Sequence, residues 1–386
     1  MSISELLIGN CPYPFWDQIS WVCFAENFVR SILGENDNTD DAYFINIGYD
    51  KQIVDVQVTS TDTGRSVITD RKVLLDFLTI AERADYKYIF LDIRFEKGYN
   101  TEWDKALFSK IAGMRNIVVA HHYEETDNNG KITNGFELAD TILLPKIAYN
   151  DYYTTIFSAS FTRYQYLQDG RPSVALRMYQ DIDRKKMEHK GILYFNDGTL
   201  CENCPYIPIK GSISPLKEDG SKADYFNLGP FLLTMPEDML IEDMKGKIIV
   251  VGDFINDIHD TYMGMQSGSY LTYAAYKYLA KGGNKVSIVK LIIITILFYF
   301  IIRTQLLEKQ GPPFLDRISG RPYLRWVSRV KKWRIVMLFT SFVSYTLLLS
   351  IVCSIIYMTS GYTFNIGLPA LLISILSTIK NTNNTE

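Results

Sequence analysis

Residues 247–265 read KIIVVGDFINDIHDTYMGM. Four β-branched residues, Ile248 to Val251, make a short apolar run that ends at Gly252. Length and composition mark it as a buried strand. Asp253, Asp257, His259 and Asp260 crowd the positions just after it. In a parallel sheet the crevice that receives ligands lies beyond the carboxyl ends of the strands. The stretch therefore raises two questions together: whether its neighbours form such a sheet, and whether the polar residues form a site.

Working outward, the chain before it alternates between two periods. Tyr43 to Gly48 reads as a strand ending at Asp50. TDRKVLLDFLTIAERADY (69–86) opens with a Thr/Asp cap and sets Val73, Leu74, Phe77, Leu78 and Ile80 on one helical face. KYIFLDIRF (87–95) is a second strand. NTEWDKALFSKIAGM (100–114) is a second helix, covered by Trp103, Leu107, Phe108 and Ile111. NIVVAHH (116–122) is a third strand. Strand, helix, strand, helix, strand predicts an α/β fold with a mainly parallel sheet flanked by helices. A β-hairpin insert is expected over SASFTRYQYLQDGRPSVALRMYQ (158–180), turning at Asp169-Gly170. GILYFNDGT (191–199) adds a strand with an Asn-Asp-Gly turn. SYLTYAAYKYLAKGG (269–283) is a helix ending in glycines. Few residues then separate it from an apolar region, so movement in the first part has a nearly direct route to the second.

Composition divides the 386 residues in two. Residues 1–285 are mixed, and residues 286–380 are largely apolar. Three membrane spans are expected in the second part: Val286–Ile302, Ile335–Met358 and Phe364–Ile379. The loop 303–334 between the first two is basic, which places it in the cytoplasm and residues 1–285 outside. Tyr323, Trp326, Val327 and Val330 share one face of a possible interfacial helix within that loop. An outside domain needs export, and MSISELLIGNCPYPFW (1–16) is not a signal, so a further span upstream is expected. A net charge of -3 excludes a nucleic-acid binder as a whole-chain description. Cys201 and Cys204 form a C-x-x-C with no zinc companions, and a local disulfide is expected on an oxidising side.

Strand ends bring the candidate site together. Asp50 follows the first strand, Asp92 ends the second, His121 and His122 follow the third, and Asp253 follows the last. With Asp257, His259 and Thr261 they form a candidate ligand-binding edge. Crowded carboxylates repel unless a cation, an Arg or a proton sits among them. GDFIND (252–257) is similar to the G-D-x-x-D piece of calcineurin-like metallophosphoesterases. The D-x-H and G-N-H-D/E companions of that two-metal site do not occur, and the chain has only four histidines. A metal-dependent hydrolase is thus the second choice, and no catalytic residue or cofactor is assigned.

A broader resemblance covers residues 40 to 380. Gly246, Lys247 and Ile248–Gly252, followed by Asp257, Thr261, Gly264, Gly268 and Ala274, resemble the last strand and helix opening of type 2 CHASE domains. INIGYD (45–50), LDIRF (91–95) with Asp104, and QDGRPSVAL (168–176) resemble other segments of that family. Tyr262 stands where the family has a proline. The resemblance implies an extracytoplasmic sensory domain of a bacterial inner-membrane protein, followed by three spans. It implies a small ligand or an envelope protein outside as partner. With no kinase or cyclase after Lys380, the output is expected through a separate signalling protein. A structural membrane protein binding another envelope protein is the third reading.

Overall fold

The computed structural model describes residues 39–286 apart from 58–62, 124, 127–131, 151–152, 155–160, 192, 208, 210–224 and 262–263. Beyond them it describes the helix Trp333–Ser360, residues 370–375 and six positions between 292 and 303. At its centre is a six-stranded sheet. Its strands, in chain order, are β1 (Ala42–Asn46), β2 (Tyr88–Leu91), β3 (Ile117–His121), β4 (Ile147–Tyr149), β5 (Phe226–Asn227) and β6 (Ile248–Gly252). They lie in the order β5-β1-β6-β2-β3-β4, and every pair is parallel. The expected α/β parallel sheet is present. The two strands that the sequence reading did not assign, β4 and β5, are the shortest.

Alternation along the strands sorts the core into two layers. Ala42, Phe44, Tyr88, Phe90, Val118, Ala120, Ile248 and Val250 face one side. Two helices cover it: α3 (Val174–Asp183) and α6 (Gly268–Ala280). Tyr43, Ile45, Ile89, Leu91, Ile117, Val119, Ile249 and Val251 face the other. That side is covered by α1 (Arg71–Ala81), α2 (Asp104–Gly113), α4 (Leu228–Thr234) and α5 (Glu237–Met244). β6 is fully buried along its length. A strand covered on both faces reads as a continuous apolar run, and that is why IIVV carries no polar alternation. Each fully buried Val or Ile side chain stabilises by about 1.5–3 kcal/mol.

Local signals set the helix starts. Asp70 accepts from the backbone N–H of Lys72 and Val73 at 2.9 and 3.0 Å, capping α1 where the sequence placed the cap. Leu74, Phe77 and Leu78 are fully buried, with Val73 and Ile80 on the flank of the core. α2 buries Leu107, Phe108 and Ile111 as expected.

The insert departs from the expected hairpin. Asp169 and Gly170 do turn, with φ of 49° and 78°, but the paired strands are only Leu167–Gln168 and Arg171–Pro172. The chain then becomes α3 and not a second long strand. Ser173 accepts from Leu176 N–H at 3.2 Å, and Val174, Ala175, Leu176, Met178 and Tyr179 are buried. A cap and a helix-spaced apolar face outweigh an apparent two-residue alternation. The Asn-Asp-Gly turn fares better: Asp197 and Gly198 (φ 53° and 74°) join Leu193–Asn196 to Thr199–Cys201. With Met187–Lys190 these make a small antiparallel sheet.

The route out of α6 to the apolar region is short and is pinned on the way to the small sheet. After Ala280 the chain turns, and Lys285 forms a bridge to Cys201. Glu202 N–H donates to the Asn284 carbonyl at 2.9 Å, and Val286 N–H to that of Leu200 at 2.8 Å. Buried Asn284 also accepts from Asn196 Nδ2 at 3.0 Å. The exit segment is thus clamped to the small sheet before the apolar region begins. Leu200 in turn packs on a cluster of Val286, Phe342, Tyr345 and Leu349.

Of the three expected spans, the second forms a helix, α7, over Trp333–Ser360. Among the described residues no helix is long and apolar enough to cross a membrane. Most of the first and third segments, the loop positions 304–332 with their proposed interfacial helix, residues 1–38 and Tyr262 lie outside the described residues.

Candidate functional site at the carboxyl edge of the sheet

The strand order places β6 between β1 and β2, so Asp253 and Asp92 emerge side by side. Asp92 is the hub. Ser269, in the first turn of α6, donates its hydroxyl to Asp92 Oδ2 at 2.8 Å. Asn150, just after β4, donates from Nδ2 to Asp92 Oδ1 at 3.2 Å. Asn150 is itself buried, and its Oδ1 accepts from Thr272 Oγ1 at 2.8 Å. One hydrogen-bonded chain thus joins the ends of β2 and β4 to the start of α6. Asp92 is enclosed by protein yet keeps partial solvent access. Burial first, and then the Asp257 carboxylate, push its pKa up to about 6 against the lowering effect of Ser269.

Gly252 makes this packing possible. A Cβ there would lie 2.8 Å from Ser269 Cβ, 3.2 Å from Asp92 Cβ and well inside contact distance of Ser269 Oγ. The glycine lets α6 begin directly on the end of β6.

The other predicted residues divide. Asp253 is a turn cap: it accepts from Ile255 N–H (3.1 Å), Asn256 N–H (2.8 Å) and Asn256 Nδ2, and pairs with Lys51 at 3.1 Å. Burial raises its pKa, but the bonds from Asn256 and Lys51 prevail and hold it below the usual carboxylate range. Asp257 pairs with His259 Nε2 at 3.1 Å on the hairpin Ile258–Thr261/Gly264–Ser267. That bond, against the opposing effect of burial, raises the imidazole pKa. Asp257 and His259 both act electrostatically on Asp92, so this pair belongs with the hub. Thr261 is a buried residue of the same hairpin.

Asp50 and His121 are not brought to the hub. Asp50 accepts from Gly229 N–H at 2.9 Å, at the start of α4 on the opposite layer. Burial raises its pKa. His121 is buried, with its ring edge-on to Tyr123 and Phe136 at centroid distances of 4.9 and 4.8 Å. The crowding expected among four carboxylates is thereby relieved locally, by Lys51 for Asp253, His259 for Asp257 and a helix start for Asp50. Asn150, Ser269 and Thr272 are the residues that sequence reasoning missed. Asn150 follows a strand of three residues, too short to register as one, and the two hydroxyls look like ordinary helix-opening residues.

Among the described residues no group of three or more His, Cys, Asp and Glu side chains is placed to hold a metal ion. No disulfide joins Cys201 and Cys204, and both side chains are buried. Cys201 is held in a strand opposite Tyr194, and the Cys204 carbonyl accepts from Arg163 Nη1 at 2.9 Å. Asn203 between them bonds to the backbone of Leu167. These ties fix the C-x-x-C backbone independently of a bridge. Burial pushes the Cys201 thiol up to about 12, which keeps it unreactive. No protein-family model, no curated protein and no solved structure matches this chain.

Proposed function

We propose that this chain is a membrane-anchored sensory protein of the type 2 CHASE kind. Its α/β domain binds a small ligand outside the cytoplasm, and its signal passes to a separate protein. One observation carries the reading: the Asp92–Ser269–Asn150–Thr272 chain gathers two strand ends onto the first turn of α6. A ligand with different affinity for two positions of that turn shifts their balance. The far end of α6 leads through the clamp at Asn284–Val286 to the apolar region. In this reading Val286–Ile302, Ile335–Met358 and Phe364–Ile379 cross the bilayer with the basic loop inside.

The test is a thermal-shift screen of the full chain in detergent against charged small solutes, followed by Asp92→Asn and Ser269→Ala. A solute that raises the melting temperature of the wild type and loses that effect in both variants supports the reading. A solute effect of equal size in all three proteins refutes the site. Reporter fusions after Lys309 and Gly361 test the topology, with the first expected on the cytoplasmic side and the second exported.

A further inference from the structure

One segment beside the carboxyl edge takes no part in the six-stranded sheet. Among the described residues Lys51–Gln57 and Thr63–Thr69 pair only with each other, in register from Lys51↔Thr69 to Gln57↔Thr63. A lone two-stranded ribbon is marginal in water, and its open edges are templates for further pairing. Its side chains sort by face. Val54 is buried and Gln52, Val56, Ser66 and Ile68 are half-buried, whereas Lys51, Ile53, Asp55, Arg65 and Val67 are exposed. On the exposed face Ile53 and Val67 stand directly opposite each other, 68% and 62% exposed. Asp55 faces Arg65 at 3.6 Å, and Lys51 reaches Asp253 at 3.1 Å. The Asp70 N–H donates to the Asp50 carbonyl at 2.9 Å, which makes that pair a hydrogen-bonded step of the same ladder. By alternation the N–H and C=O groups of Ile53 and Asp55 point away from Thr63–Thr69.

We propose that a second copy of this chain covers the open edge, the two Lys51–Gln57 strands pairing antiparallel about a two-fold axis at Ile53 to make one four-stranded sheet. Backbone, charge and apolar pattern agree on this register. With Ile53 at the axis, its outward N–H and C=O exchange both bonds with Ile53 of the second copy, and the Asp55 N–H meets that copy's Lys51 carbonyl. Each Lys51 side chain then falls opposite Asp55 of the other copy. Opposite charges facing across strands stabilise a sheet, and like charges destabilise it. On the exposed face Val67 and Ile53 of the two copies form one unbroken apolar row across four strands. Rows of Arg65, Asp55 and the second copy's Lys51, alternating in sign, border it on both sides. Lys51 can keep its bond to Asp253, because an ammonium carries three donors. Other two-fold registers fail. An axis at Asp55 opposes two carboxylates. On the other strand, an axis at Arg65 opposes two guanidiniums, and one at Val67 leaves Arg65 facing Thr69. A junction of this length buries less than the roughly 1,200–2,000 Å² of a stable complex, so the dimer depends on concentration.

Sedimentation equilibrium of the full chain in detergent reads the pairing, and the wild type is expected to show a monomer–dimer equilibrium. Asp55→Lys sets like charges against Lys51 of the second copy at both ends and should weaken the dimer about tenfold. Lys51→Glu sets like charges against Asp55 and should do the same. An equimolar mixture of the two variants restores both contacts, so it should dimerise as the wild type does, which also shows that both variants fold. A separate measurement keeps the native charges. Ile53→Cys, at the axis, should be joined into a covalent dimer by a short bismaleimide, well above the wild-type background. Val67→Cys should not, because its two sulfurs would stand three strand spacings, about 14 Å, apart. A wild type that is monomeric at every concentration, a dimer that Asp55→Lys leaves intact, no recovery in the mixture, or equal cross-linking at positions 53 and 67 overturns the proposal.

Discussion

Replacing Asp92 by Asn should stabilise this protein above pH 7 and leave it unchanged near pH 4. In the folded chain Asp92 ionises near 6, against an ordinary 3.8, because burial and Asp257 disfavour its charge. A group whose pKa is raised by folding holds its proton in the native state where the unfolded chain has lost it. The stability it contributes is therefore present below about pH 4, falls between about 4 and 6, and is absent above. The gap of about two pH units corresponds to about 3 kcal/mol at 1.36 kcal/mol per unit. Asparagine keeps the shape, accepts from Asn150 and donates to Ser269, but never ionises. It should thus recover about 1–3 kcal/mol at pH 7.5. For a domain of this size that is a rise of about 2–10 °C in melting temperature. The assay is thermal unfolding of the full chain in detergent, followed by near-ultraviolet circular dichroism at pH 4, 5, 6 and 7.5. A variant that is less stable than the wild type at pH 7.5 would show that the bonds to the ionised carboxylate outweigh its burial, and would refute the reasoning.

Gly252→Ala forces a Cβ into Ser269 and should cost about 1–3 kcal/mol by overpacking, with Ser269→Gly in the same chain restoring most of it in denaturant melts. The imidazole of His259 should titrate above its ordinary value by NMR and move back toward it in Asp257→Asn. Its stabilisation is present below about pH 6.5 and lost as pH rises through the folded value; a titration unchanged by Asp257→Asn would contradict the pairing. Asp253→Asn should cost about 1 kcal/mol at neutral pH by weakening the turn and its tie to Lys51, an effect that fades as pH falls through the depressed pKa of the native Asp. Cys201 and Cys204 should both react with a thiol label in denaturant without reductant and resist it in the native fold, whereas protection of both in denaturant would restore the disulfide.

The strongly patterned parts of the fold were legible in the sequence. IIVV at 248–251, YIFL at 88–91 and IVVA at 117–120 are apolar runs too short for helices, separated by segments with helical spacing. That combination admits little besides a buried parallel sheet. The cap at Asp70 and the turns at Asp169-Gly170 and Asp197-Gly198 were local, and local chemistry sufficed for them. The alternation over 158–180 misled because a short stretch fits two periods, and only packing against α6 and the sheet selects the helix for 174–183. The site followed the same division. That Asp92, Asp253 and Asp257 lie beyond strand ends follows from their neighbours in sequence. That Asp92 meets Ser269 and Asn150, while Asp50 and His121 serve the opposite layer, depends on which strand lies beside which and on the face each strand end presents. Those are long-range choices, set by how the whole core closes: β6 inserts between β1 and β2, and the absence of a side chain at Gly252 lets α6 settle on the edge.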